Sequence, residues 1–306
     1  MKYLFSLFIL AALLTAGCNA ESAPSAGAGG DGKIVIVSTI FPPFDFARNI
    51  AGDKAEISLL LPLSSDSHSY EPSPRDIIKI READVFLYVG GASDEWTESV
   101  FSGGDNVIAV RLMDSVSLLE DDHAHGSGYF SEYDEHVWTS PRNAVLMALA
   151  ISEALCAADP ENAEFYRNNA VDYIARLEAL DDTFREIINS ASRKTVVIAD
   201  RFAFRYLTEE YGLEYFAAFP GCAEQTEPSA QTLAFLIEKI REEEIPAVFY
   251  GELSDMRTAN SISRETGAQP LLLHSCHTLS REMFDAGLGY IELMEANAEE
   301  LKKALN

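Results

Sequence analysis

The chain has 306 residues, 47% of them hydrophobic and 24% charged, with 49 acidic against 23 basic side chains and a formal charge of −26. Such an excess of anions excludes nucleic acid as a partner, because a polyanion is held by a basic footprint. The apolar fraction excludes a disordered chain, and the length suits two domains or one large one.

Lys2, an apolar run over residues 4–14 and the small residues Thr15-Ala16-Gly17 before Cys18 predict an export signal over residues 1–17. The run is too short to span ~30 Å of hydrocarbon, which needs about 20 residues. Leu14-Thr15-Ala16-Gly17-Cys18 resembles the bacterial lipoprotein cleavage box, which implies a lipidated Cys18. Residues 18–32, rich in Ala, Ser and Gly, read as a flexible tether. Together these place the protein outside the cytoplasm, anchored to a membrane it does not cross.

From Lys33 onward, β-branched runs alternate with helical patterns. Strands are predicted at 34–37, 57–61, 84–90 and 107–110, with helices over 41–52 and from Ser73-Pro74 to residue 83, the serine capping and the proline filling the first turn. Strand, helix, strand in this order implies parallel pairing through crossover helices, so residues 33–157 form a first α/β lobe. Residues 158–190 read as one long linker helix. Asp159 caps it, Pro160 follows, and apolar residues recur every three or four positions from Tyr166 to Ile188 with no internal Gly or Pro. Residues 191–306 repeat the first plan, with strands at 195–199, 247–250 and 271–273 and helices at 202–211, 229–244 and 281–305. The fold class is therefore α/β: two four-stranded parallel-sheet lobes joined by a rigid backbone helix, with a cleft between them.

The six histidines are His68, His123, His125, His136, His274 and His277. His68 follows the second strand, His136 precedes a helix, and His274 ends the run Leu271-Leu272-Leu273, close to the strand ends where open α/β sheets bind ligands. Each alone is compatible with an ordinary surface histidine, but three imidazoles at loop edges suit a borderline metal such as zinc.

The chain resembles the metal solute-binding lipoproteins of bacterial ATP-binding-cassette importers for zinc and manganese. The resemblance rests on His68-Ser69-Tyr70-Glu71-Pro72-Ser73-Pro74, Glu135-His136-Val137-Trp138, Asp159-Pro160-Glu161-Asn162, Ala203-Phe204-Arg205-Tyr206 and Glu227-Pro228-Ser229. It implies a divalent ion carried in the cleft by a monomer and handed to a membrane permease, with His68 and His136 as ligands. Where the family carries a His or Glu ligand this chain has Arg201, which has no lone pair to give, and His274 stands near the position of the family's usual aspartate. The expected ligands are thus His68, His136 and His274, with His277 pointing away. The fourth vertex is open to Glu252, Cys222 or water, Glu252 being equally suited to an ion pair with Arg201. His123 and His125, in an acidic loop, resemble a short remnant of the family's histidine-rich loop and either collect metal or are merely solvated.

Of the remaining cysteines, Cys156 reads as a buried helix residue, while Cys222 and Cys276 are expected either to form a disulfide or to offer thiolates to the metal. Nitrogen-rich ligation favours Zn2+ over Mn2+. A zinc hydrolase with Glu252 as base is the alternative of a different class.

Overall fold

The computed structural model describes residues 32–100, 106–120, 133–219 and 228–306. In the first half, β1 (Ile34–Ser38), α1 (Phe41–Ala51), β2 (Ala55–Leu59), α2 (Pro74–Arg81), β3 (Val85–Tyr88) and β4 (Ile108–Arg111) precede α3 (Pro141–Ala158). α4 (Ala163–Ser190) leads into β5 (Thr195–Arg201), α5 (Arg205–Tyr211), β6 (Glu214–Phe219), α6 (Ala230–Glu242), β7 (Ala247–Tyr250), α7 (Arg257–Thr266), β8 (Gln269–Leu272), α8 (Arg281–Asp285) and α9 (Tyr290–Leu305). The strands form two four-stranded, all-parallel sheets of order β2-β1-β3-β4 and β6-β5-β7-β8. In each sheet the first strand in sequence lies inside and the chain winds outward in both directions. The crevice outside the carboxyl ends of the strands is where such sheets place ligands.

The apolar face of α4 carries Tyr166, Ala170, Tyr173, Leu177, Leu180 and Phe184, all buried, and belongs to one core that runs through both halves of the molecule. The Asp159 carboxylate caps the turn before the helix through the Asn162 amide and accepts from the Tyr166 hydroxyl at 2.6 Å. Twenty-eight residues at 1.5 Å each give about 42 Å of uninterrupted helix. Leu177 is fully buried, so Leu177→Ala is expected to cost about 2–5 kcal/mol. Chemical denaturation would measure it, and an unchanged midpoint would remove this face from the core.

Several elements differ from the sequence reading. The terminal helix is two helices: Gly287 adopts φ +75°, and the Tyr290 amide that opens α9 donates to buried Asp45 on α1 at 2.9 Å. β6 and α7 have no distinguishing pattern in the sequence. β6 is exposed at Glu214 and half-buried over the next three residues, and Tyr215 stacks on Phe202 with ring centroids 3.6 Å apart. α7 is polar apart from Ala259 and Ile262. Cys156 is only partly buried, its thiol donating to the Ala163 carbonyl at 3.4 Å. No helix among the described residues is long and apolar enough to cross a membrane.

Candidate metal centre

Three histidines from separate stretches converge: His68, His136 and His277 offer ligand nitrogens that all lie within 4.8 Å of one another. Their ring centroids are 4.9–5.7 Å apart. His68 sits in the short turn Ser67–Ser69 beyond β2, where the Asp66 carboxylate accepts from its amide at 3.0 Å. His136 opens the turn Val137–Thr139 that leads into α3. His277 lies beyond β8 on a segment tied to the first half of the chain. The Trp138 indole donates to the Ser275 carbonyl at 2.7 Å, the Phe41 amide to the His277 carbonyl at 3.3 Å, and the Ser64 amide to the Leu279 carbonyl at 2.9 Å. Trp138 also packs edge-on against the His277 ring, 4.9 Å between centroids.

Each of the three imidazoles has its Nδ1 engaged. His136 Nδ1 lies 2.8 Å from Asp134 Oδ1. His68 Nδ1 lies 2.8 Å from Ser93 Oγ and 3.0 Å from Glu135 Oε1. His277 Nδ1 lies 2.5 Å from Ser275 Oγ, whose hydroxyl is in turn 2.5 Å from Glu252 Oε1. A carboxylate only accepts, so a histidine facing one carries its proton on Nδ1 and its lone pair on Nε2. This is the outer arrangement that orients metal-ligating histidines. His277 Nε2 is buried and has no hydrogen-bond partner among the described residues.

Electrostatics keep the site ready for a cation. Burial, reinforced by the charges of His136, His68, His274 and Arg201, pushes His277 well below the ordinary 6.5, so its ring is neutral at physiological pH. Burial drives the Glu135 carboxyl upward, but the hydrogen bond and charge of His68, with His136 and Ser93, hold it down at about 2. Asp94, pushed up to about 7 by burial against backbone hydrogen bonds, accepts from the Val89 and Gly90 amides and shapes the loop that carries Ser93. Gly91 lies against Glu135, and an added Cβ would fall 2.2 Å from the Glu135 Cβ. Gly91→Ala is therefore expected to cost about 1–3 kcal/mol by overpacking and to weaken metal binding by displacing Glu135. Normal stability and affinity in that variant would show that the contact relaxes freely.

His274, expected as the third ligand, stands apart from this cluster. β8 ends at Leu272, and Cys276 adopts φ +65°, so the chain turns and carries His277, rather than His274, to His68 and His136. The His274 backbone is clamped by Asn297, which accepts from its amide at 2.7 Å and donates to its carbonyl at 2.8 Å. Its Nδ1 accepts from the Cys276 amide at 3.0 Å, and burial, opposed by the charge of Glu252, lowers its pKa.

Glu252 is not a fourth member of the cluster, since its oxygens accept from the Ser275 amide at 3.0 Å and from the Ser275 hydroxyl. Nor does it pair with Arg201, which bridges to Asp66 at 2.6 Å. The expected disulfide is not formed: Cys276 is a free, fully buried thiol donating to the His274 carbonyl at 3.7 Å, burial raises its pKa well above 9.0, and it is not a member of the three-histidine cluster. Cys222, His123, His125 and Cys18 lie outside the described residues. A cavity of about 510 Å³ opens beside the triad, lined by His68 and His277 together with Asp66, Arg201, Phe204 and Glu252. Ser93, Ser275 and Asp134 carried no signal in the sequence beyond their nearness to candidate ligands.

A family model described as zinc-uptake complex component A, periplasmic, matches residues 36–304. The chain is 34% identical over 311 residues to the high-affinity zinc uptake system protein ZnuA of Bacillus subtilis, an alignment covering 98% of this chain and 97% of that protein. It is also 34% identical over 282 residues to the zinc-binding lipoprotein AdcA of Streptococcus pneumoniae serotype 4, covering 89% of this chain but only 56% of that longer protein. The crystal structure of the Zn(II)-bound ZnuA-like domain of the Streptococcus pneumoniae AdcA superposes with a TM-score of 0.78 at 32% identity, covering 90% of this chain and 99% of that one. Matched along nearly its whole folded length in sequence and in fold, the chain belongs to the zinc-uptake complex component A family of periplasmic solute-binding proteins.

Proposed function

We propose that the protein captures Zn2+ outside the cytoplasm and delivers it to the permease of an ATP-binding-cassette importer, with His68, His136 and His277 as its protein ligands. One observation carries this reading: three imidazoles from distant parts of the sequence lie within one coordination sphere's reach, with every Nδ1 engaged. Zinc takes histidine nitrogens at ~2.0–2.1 Å in a tetrahedral shell. An all-nitrogen protein set favours it over manganese, which prefers oxygen. Zinc here is cargo, and the protein acts by holding and releasing it rather than by turning over a substrate.

The remaining attributes belong to the same reading. Residues 1–17 serve as the signal, Cys18 as the lipid anchor, residues 18–32 as the tether, and His123 and His125 as a loop that gathers metal for the cleft. Residues 33–157 and 191–306 act as the two lobes of a monomer with residues 158–190 between them. Zinc hydrolysis is the weaker reading, because the carboxylate that would serve as base, Glu252, has both oxygens committed to Ser275.

Metal analysis of the purified protein, combined with anomalous scattering at the zinc edge, tests the proposal. One zinc per chain within bonding distance of His68, His136 and His277 is expected. Preferential retention of manganese, or zinc bound elsewhere, would overturn it.

A further inference from the structure

The two halves of the molecule hold one histidine each by the same device. In the first, the Ser93 amide donates to Glu135 Oε2 at 2.9 Å, the Ser93 hydroxyl donates to Glu135 Oε1 at 2.6 Å, and His68 Nδ1 sits 2.8 Å from that hydroxyl. In the second, the Ser275 amide donates to Glu252 Oε2 at 3.0 Å, the Ser275 hydroxyl donates to Glu252 Oε1 at 2.5 Å, and His277 Nδ1 sits 2.5 Å from that hydroxyl. The elements are unrelated: Ser93 lies beyond β3 and Glu135 before α3, while Glu252 lies beyond β7 and Ser275 beyond β8. The recurrence therefore lies in the chemistry rather than in a shared stretch of chain. His68 also approaches its carboxylate directly, at 3.0 Å. His277 reaches a carboxylate through the serine.

We propose that the Glu252–Ser275 fork is a positioning device that fixes His277 as its Nδ1–H tautomer and so presents the Nε2 lone pair to the metal, and that Glu135 and Ser93 do the same for His68. The direction of the relay follows from what each group can do. Both Glu252 oxygens are acceptors, so the serine must spend its single proton on Oε1. Its oxygen is then an acceptor, and the contact with His277 is made only if Nδ1 carries hydrogen. Glu252 and Ser275 touch no metal in this scheme; they act through the ring. The inference rests on the zinc-binding reading above for its consequence, but the tautomer itself is a property of the protein without metal.

Glu252→Gln separates this role from mere packing, because it is nearly isosteric and reverses the relay. An amide has one acceptor and one donor end. With its oxygen on the Ser275 amide, its NH2 group meets the Ser275 hydroxyl, which must then turn its proton toward His277 Nδ1 and force hydrogen onto Nε2. The flipped amide would set two donors against each other at the Ser275 backbone.

The test combines nitrogen-15 NMR of the imidazoles in the metal-free protein with zinc affinities from chelator competition at pH 7.5, for the parent protein, Glu252→Gln, Ser275→Ala and the double variant. The parent His277 is expected to show the Nδ1–H tautomer and Glu252→Gln the Nε2–H tautomer. Zinc binding in Glu252→Gln should weaken about 10–100-fold, the range found for outer partners of metal ligands. Ser275→Ala should lose less, since an unheld ring samples both tautomers, and adding Glu252→Gln to it should change nothing further. Glu252→Asp, which keeps two acceptors, should recover part of the affinity. An Nε2–H tautomer in the parent, an unchanged tautomer in Glu252→Gln, or losses that add in the double variant would overturn the proposal. A parent protein with the expected tautomer that binds no zinc would instead remove the zinc reading and leave the fork standing.

Discussion

His277→Ala is expected to weaken zinc binding by at least about 100-fold, more than the loss of any outer partner, whereas His274→Ala is expected to change it less than tenfold. The two residues are three apart on one segment and both are buried, at 8% and 3% exposure, so general disruption predicts similar losses. The ligand geometry predicts opposite ones. The His277 ligand nitrogen lies within 4.8 Å of those of His68 and His136, and its removal deletes one of three imidazoles from the shell. The His274 ring instead accepts from the Cys276 amide, and its loss leaves that buried donor unsatisfied at a cost of about 1–3 kcal/mol of folding stability. Competition titration reads the first effect and denaturant unfolding of the metal-free protein the second. Tight zinc binding in His277→Ala with loss in His274→Ala would exchange their roles and return the site to the ligand set read from the sequence.

That reversal marks how far the sequence was legible. β1, α1, α4 and the strand at 247–250 were readable because buried parallel strands and long amphipathic helices write their periods directly into the chain. His68 and His136 were readable because both sit in dense local motifs. The third histidine of the cluster was not, because its place depends on where β8 stops and on the left-handed turn at Cys276. A cysteine carries no signal for positive φ, whereas Gly287 does for the break before α9. Continuing the strand by one more residue put His274 at the edge and His277 out of reach. Arg201 has no lone pair to give a metal, which the sequence shows, but its partner Asp66 lies 135 positions away, a pairing that local pattern cannot anticipate. β6 leaves no legible signal because it follows Gly212 with an aromatic, half-exposed run of no clear alternation. The paired serine and glutamate forks were invisible for the same reason as the Arg201 bridge: each joins residues brought together only by the sheets.

Zinc is expected to raise the unfolding free energy by about 4 kcal/mol at a free concentration a thousandfold above its dissociation constant, through binding to the folded state alone. The pH course of that increment follows from the ligands. Zinc competes with protons for imidazole nitrogens, and a histidine with the ordinary value of 6.5 would lose about 1.4 kcal/mol for each pH unit below it. His277 is held well below 6.5 by burial and by the charges around it, so its own share of the competition begins only at a more acid pH than that of an ordinary histidine. The metal-free protein shows the other side of this shift. A folded value below the unfolded 6.5 means that unfolding takes up a proton. The stabilisation is complete above pH 6.5 and is lost as pH falls toward the folded value. Asp94, raised to about 7 by burial, runs the opposite way and gains stability as it protonates, so the net slope of the parent protein does not isolate the histidine. The comparison with His277→Gln does, because Asp94 is common to both. Between pH 6.5 and 5.5 the metal-free parent should lose up to about 1.4 kcal/mol relative to that variant, measured by denaturant unfolding at each pH. Parallel stability curves would show that the His277 ring titrates like a solvated imidazole and is not buried as the metal site requires.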